Sequence, residues 1–182
     1  VTGIDISKTF IESAKKSASE RQLSVEFIVQ NILNIQYEKE FDFIYLLYNS
    51  LGFFDRSDSY LLLQKMSDAL KINGKILIDC KTRDHLLQEI RPCSITEKGK
   101  DLMIDRLSFD PIAGTTTNHR IYIKDGKRYD TPFTMYTYNY HDLEQIAHKH
   151  QLKISKVFGS WEGVPFSASS RRILLFLEKI PT

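Results

Sequence analysis

The sequence has only two cysteines, Cys80 and Cys93, too few for a disulfide framework and without the paired spacing of a metal-ligand set. Reduced thiols in a cytoplasmic protein are therefore the expectation. Charge of one sign is equally short of excess: 25 basic against 23 acidic side chains leave a net charge of +2. The basic stretches at Lys98-Gly99-Lys100 and Lys124 to Arg128 are short and interrupted by acids. Neither a nucleic acid nor a membrane surface is an expected partner. No apolar run approaches the roughly 20 residues of a membrane span, and the opening residues do not read as a signal peptide. No G-x-S-x-G elbow is present, and neither cysteine sits in a plausible triad order, which removes the serine and cysteine nucleophile classes.

What is present reads as one α/β domain. Ile4-Asp5-Ile6 has a buried-strand pattern, and Ser7 follows as a candidate helix N-cap. Phe10, Ile11, Ala14, Ala18 and Leu23 recur near helical spacing, which predicts a helix over 8–22. Val25 to Val29 reads as a second strand, rich in β-branched and aromatic residues. Phe41 to Tyr48 reads as a third strand, and its nearly continuous apolar run predicts cover on both faces. Asp58 to Leu70 has the pattern of an amphipathic helix, Asn73-Gly74 of a turn, and Lys75 to Asp79 of a fourth strand. This rhythm predicts a doubly wound, mostly parallel sheet. After Cys80 the character changes. Strand-like alternation over 101–109, 117–124 and 128–138, with a hairpin turn at Lys124-Asp125-Gly126-Lys127, predicts an antiparallel insertion. A helix over His141 to His150 and strands at Lys153 to Phe158 and Arg172 to Glu178 complete the chain, with a loop over Gly159 to Ser170.

The strongest local signal for chemistry is Gly3-Ile4-Asp5-Ile6-Ser7. An acid at the carboxyl end of a strand in an open α/β sheet lies where ligands bind, and its two oxygens suit the two hydroxyls of a ribose. Nicotinamide enzymes and methyltransferases use that geometry alike, and an acid at a helix start need bind nothing. The histidines give weaker signals. His141, His148 and His150 share one predicted helix, but no carboxylate or cysteine stands at metal spacing beside them, so no metal site is expected. His85 and His119 are candidates for a base beside a substrate. Tyr129, Phe133, Tyr136, Tyr138 and Tyr140 read as a strand face, part of it lining a pocket.

Longer motifs narrow the choice. Gln30-Asn31-Ile32-Leu33 follows the second strand. The third runs into Tyr48-Asn49-Ser50-Leu51-Gly52-Phe53-Phe54, and Leu70 to Asp79 carries the Asn73-Gly74 turn into the fourth. In these stretches the sequence resembles the class I S-adenosylmethionine-dependent methyltransferases, in particular a branch with an Asn-Ser-X-Gly-Tyr/Phe-Phe motif. The resemblance continues through Asp125-Gly126, Tyr138, Asp142-Leu143, Phe158-Gly159, Gly163-Val164-Pro165-Phe166 and Ser170-Arg171-Arg172-Ile173. Each motif is weak alone, and their order is the specific part. The resemblance implies a Rossmann-like sheet with S-adenosyl-L-methionine as cofactor. Asp5 would take the ribose hydroxyls and Ile6 one face of the adenine. Asn31 would bond the adenine amino group through its amide oxygen, and Ile32 would offer a backbone N–H. Tyr48 and Asn49 would face the methionine part and the incoming substrate. Arg172 matches an Arg in a Ser-X-Arg pattern suited to an anionic substrate group, with His119 and Tyr136 as further substrate contacts. Tyr136 departs from the Arg common at that position in relatives, so the substrate does not carry over.

Methyltransferases of this class have a Gly-rich loop after their first strand, about 20 residues ahead of the acid by the general logic of dinucleotide folds. No such loop is found here, and only Gly3 precedes Asp5. The chain therefore reads as beginning one strand-helix unit late, with the missing strand expected between 4–6 and 42–48. Poor cofactor binding and a homodimer through the incomplete sheet follow as expectations. The function expected is methyl transfer to a small molecule, with residues 1–182 as a single domain and 84–138 as a substrate lid. The alternatives are a non-catalytic interaction module that kept the fold and, less favoured by the strand order, an NAD-dependent oxidoreductase.

Overall fold

The computed structural model describes residues 1–181. Strand β1 (Thr2–Asp5) leads into helix α1 (Lys8–Glu20), and β2 (Glu26–Val29) returns parallel to β1. Ser7 is the N-cap of α1, its Oγ accepting the Phe10 N–H at 3.3 Å. A short 3-10 turn (Ile32–Asn34) follows, and its Ile32 and Leu33 pack against the main core.

That core is organised by β3 (Phe41–Leu46), α2 (Arg56–Ala69) and β4 (Leu70–Lys81). Asp55 caps α2, accepting the Asp58 N–H at 2.8 Å. The helix buries Leu62, Leu63 and Met66 against Leu46, Ile76 and Ile78 of the strands. Each such side chain contributes roughly 1.5–3 kcal/mol relative to leaving it in water. β3 runs parallel to β4, but the register jumps from Phe41↔Leu70 to Phe43↔Lys75. The extra residues on β4 are the expected Asn73-Gly74 turn, absorbed as a bulge with Asn73 left-handed at φ 64°.

From β4 the chain enters α3 (Arg83–Glu89), then an antiparallel sheet of β5 (Cys93–Lys98), β6 (Asp101–Asp110), β7 (Thr115–Lys124) and β8 (Lys127–Tyr136). The hairpin between β7 and β8 is the predicted two-residue loop. Asp125 and Gly126 take φ 50° and 72°, as the tight turn between right-twisted strands demands. Helix α3 and strand β5 were not anticipated; β5 is exposed along its whole length and lacks the alternation that marks a half-buried strand. A parallel bridge between Thr82 and Tyr138, with Arg83 N–H donating to Tyr138 O at 3.0 Å, ties together the points where the chain leaves and rejoins the main body.

Helix α4 (Tyr140–His148) opens with a reciprocal cap between Asn139 and Asp142. It ends before His150, which the sequence pattern places on it. Strands β9 (Leu152–Phe158) and β10 (Arg172–Lys179) close the sheet in the order β3-β4-β10-β9, with β10 antiparallel to both neighbours.

Two findings concern the sheet. Among the described residues no ladder joins β1 to β3; the strands outside the β5–β8 sheet form a parallel pair, β1-β2, and a mixed quartet in which only β3 and β4 run parallel. The expectation that β3 is covered on both faces is corrected. Ile44 and Leu46 turn into the core, while Phe43 and Tyr45 are 58% and 62% exposed. A strand's side chains alternate between faces, and the second face is largely open, with Tyr37 packed against Phe41 at its start. No described helix is long and apolar enough to cross a membrane.

Candidate functional site

Strands β1, β2 and β3 each end at or just before residues that the sequence singles out. Asp5 closes β1, and its Oδ1 accepts the Ser7 N–H at 2.7 Å, which fixes the carboxyl group at the mouth of α1. Its other oxygen has no partner among the described residues. Ile6 follows with 73% of its surface exposed, an apolar side chain presented to solvent at the sheet edge. Asn31 lies just beyond β2 and caps the 3-10 turn, its Oδ1 accepting the Leu33 N–H at 3.0 Å. An amide oxygen has two lone pairs, so one remains for a ligand. The Ile32 N–H stands at the first position of that turn, where a helix cannot bond its own donors.

The end of β3 is the most constrained of the three. Tyr48 and Asn49 are consecutive left-handed residues, at φ 56° and 64°, a conformation that side chains with a Cβ adopt at some cost. Asp79 holds them there. This fully buried carboxylate near the end of β4 accepts the Tyr48 N–H at 2.9 Å, and its backbone carbonyl accepts the Asn49 N–H at 2.9 Å. Asn49 Oδ1 accepts the Lys81 N–H at 2.8 Å. The result holds the Tyr48 side chain out into solvent, 84% exposed. Arg172 supplies the counter-charge: Nε and Nη2 donate to the two Asp79 oxygens at 2.6 and 2.7 Å. Its register on β10, opposite Lys81, makes this a diagonal pair on one sheet face. Arg172 thus acts first as the partner of Asp79, with only the rest of its guanidinium turned to a cavity.

That cavity, about 910 Å³, lies between the end of the quartet and the β5–β8 sheet. Tyr48, Asn49 and Arg172 line one side and Tyr136 another. His85 lines it too, its Nε2 3.5 Å from Glu89 Oε2. His119 does not line it. Strand alternation sends Thr116, Asn118 and Arg120 of β7 into the cavity and turns His119 to the opposite face, where its Nε2 meets Asp130 Oδ1 at 2.9 Å.

The roof of the cavity carries a polar cluster that sequence reasoning missed. Arg120 donates to Asp105 through Nε at 2.6 Å and Nη2 at 3.0 Å, and Asn118 Nδ2 donates to Asp105 Oδ1 at 2.9 Å. The bonded Arg120 guanidinium is the main reason that the Asp105 carboxyl is held below the usual carboxylate range, against some opposing desolvation. Arg120 also stacks its guanidinium 5.2 Å from the Phe133 ring centre. The alternation of 116, 118 and 120 was the signal available in the sequence. Only the pairing of Asp105 with Arg120 across β6 and β7 turns three polar residues into one site. Asp79 left a fainter trace, a single acid ending an apolar strand.

Comparison with known proteins bears on the fold that carries these residues. Residues 1–74 match the family model of a methyltransferase domain. A provisional methyltransferase of Geobacillus sp. (strain WCH70) is 27% identical over 93 residues, which are 49% of this chain and 38% of that protein. The chain therefore spans well under half the length of that curated relative. A solved S-adenosylmethionine-dependent methyltransferase from Clostridium acetobutylicum superposes with a TM-score of 0.88 at 18% identity, over 99% of this chain and 75% of its own. The CcbJ methyltransferase of Streptomyces caelestis gives 0.89 at 15% identity, over 100% and 75%.

Proposed function

We propose that this chain, whose residues 1–74 match the model of a methyltransferase domain and whose fold is shared with solved S-adenosylmethionine-dependent methyltransferases, serves methyl transfer to a small molecule held beneath the β5–β8 sheet. One observation carries the reading. Asp5 and Asn31 stand at the carboxyl ends of the parallel pair β1 and β2, and the pinned pair Tyr48–Asn49 at the carboxyl end of β3, the strand end at which open α/β sheets bind ligands.

The residues present fit S-adenosylmethionine. Asp5 has an unpartnered carboxylate oxygen for ribose hydroxyls, Ile6 an exposed apolar surface for a flat base, and Asn31 and Ile32 an acceptor and a donor for its edge. The cofactor, when bound, supplies a methyl group on a sulfonium, which a nucleophile displaces in line. The chain's own part is to align the acceptor and keep water out. Tyr48 and Asn49 orient the reacting end, Asp79 and Arg172 fix their backbone, and the β5–β8 sheet, entered and left at the Thr82–Tyr138 bridge, closes over the acceptor as a lid. His85 stands inside the cavity and suits the role of base for an acceptor that arrives protonated.

Calorimetry with S-adenosylhomocysteine on the longest natural chain containing these residues tests the reading. Binding is expected, weakened at least tenfold by Asp5→Ala, since a charge-assisted bond is worth roughly 1.5–3 kcal/mol. An Asp5→Ala protein that binds as tightly as the parent would refute the ribose assignment, and no binding at all would remove the enzyme reading. The edge of β3 away from β4, which no described strand pairs, further supports a second copy of the chain pairing there. A strictly monomeric solution mass at high concentration would count against that association.

A further inference from the structure

Asn118 is 6% exposed and lines the cavity, yet its Oδ1 has no hydrogen-bond partner. The amide orientation is settled by chemistry. Its other terminal atom lies 2.9 Å from Asp105 Oδ1, and a carboxylate already bonded by Arg120 accepts only, so that atom is the NH2 group. The oxygen is therefore a buried acceptor left without a donor, an unfavourable state that a ligand or water would relieve. Asp105 and Arg120 lock the amide in place, so the acceptor is preorganised.

The cavity wall around it carries a second feature. Lys81, Arg91 and Arg171 line the cavity, and none of them has a carboxylate within 4.0 Å among the described residues. Of the acids lining it, Asp105 is bonded by Arg120, and Glu89 is the one acid without a cationic partner among the described residues to set against them. A partly enclosed site with three such cations against one free acid raises the local concentration of anions.

Resting on the methyl-transfer reading above, we infer that the acceptor substrate is a small anion, carrying a carboxylate or phosphate for Lys81, Arg91 and Arg171 and a hydroxyl or amine that donates to Asn118 Oδ1. A neutral apolar acceptor would leave both features unanswered. Asn118 is in this sense a specificity-determining residue, and Asp105 and Arg120 are its positioning residues.

The test is a calorimetric titration of the full natural chain with glucosamine 6-phosphate, glucose and inorganic phosphate, with S-adenosylhomocysteine titrated in parallel. Glucosamine 6-phosphate should bind at least tenfold more tightly than glucose. Asn118→Leu should weaken glucosamine 6-phosphate about fivefold or more and leave inorganic phosphate within twofold. Lys81→Gln combined with Arg171→Gln should weaken both phosphates. Thermal melting checks that Asn118→Leu folds, and Asn118→Ser gives the same comparison should it not. Equal binding of glucose and glucosamine 6-phosphate, no binding of either phosphate, or an Asn118 variant that binds glucosamine 6-phosphate like the parent overturns the inference. If S-adenosylhomocysteine binds while the phosphates do not, this inference falls and the methyl-transfer reading stands. If the phosphates bind as expected and S-adenosylhomocysteine does not, the anion site stands and the methyl-transfer reading falls.

Discussion

Replacing Asp79 by Ala removes a buried carboxylate from between Arg172 and the Tyr48 N–H. Breaking a buried ion pair by deleting one partner costs about 3–5 kcal/mol, mostly from the charge left behind. Here the Arg172 side chain is 29% exposed and can recruit water, which favours the lower end of that range. The Tyr48 N–H loses its acceptor as well, adding about 1 kcal/mol. A loss of about 3–4 kcal/mol is the expectation. With a urea m-value near 2 kcal/mol/M, the unfolding midpoint should fall by roughly 1.5–2 M. The double variant Asp79→Leu with Arg172→Met should be more stable than Asp79→Ala, because it leaves no uncompensated charge. Tyr48 and Asn49 lose the contact that keeps them left-handed, so S-adenosylhomocysteine affinity should fall even in buffer where the variant is folded. A midpoint shift below about 0.5 M, together with unchanged affinity, would refute the claim that Asp79 holds the site.

Contacts elsewhere in the fold are testable in the same way. The Tyr138 hydroxyl donates to Phe54 O at 2.9 Å and meets Ser59 Oγ at 2.6 Å, and burial pushes its ionisation up to about 12. Tyr138→Phe should therefore cost about 1–2 kcal/mol and lower the melting temperature by roughly 3–6 °C by calorimetry. Asp105 has a folded-state pKa below its unfolded value, so its stabilisation is complete above about pH 4–5 and is lost as pH falls through the folded value. Melting temperatures measured between pH 6 and pH 3 should fall more steeply for the parent than for Asp105→Asn; parallel curves would show that the Arg120 contact contributes nothing.

The legible part of this protein was local. Ser7 as a cap, the Asp125-Gly126 hairpin and the alternation of β7 each depend on neighbours within a few residues, and each stands where the pattern puts it. Asp5 at a strand end was legible for the same reason. The misreadings all involve what a segment meets. Phe41 to Tyr48 looked covered on both faces because composition records apolarity but not the presence of a neighbour. His119 and His85 were equal candidates until strand parity turned one away from the cavity and α3 placed the other inside it.

By itself, then, the sequence determined the order of strands and helices and the residues at their ends, because turn chemistry and hydrophobic period act over short range. Only the tertiary structure decided that Asp79 and Arg172 share a buried pair, 93 residues apart, and that Asp105, Asn118 and Arg120 leave one amide oxygen without a donor. Both arise from strand pairing, in which register brings distant residues side by side, and a single sequence does not specify that register.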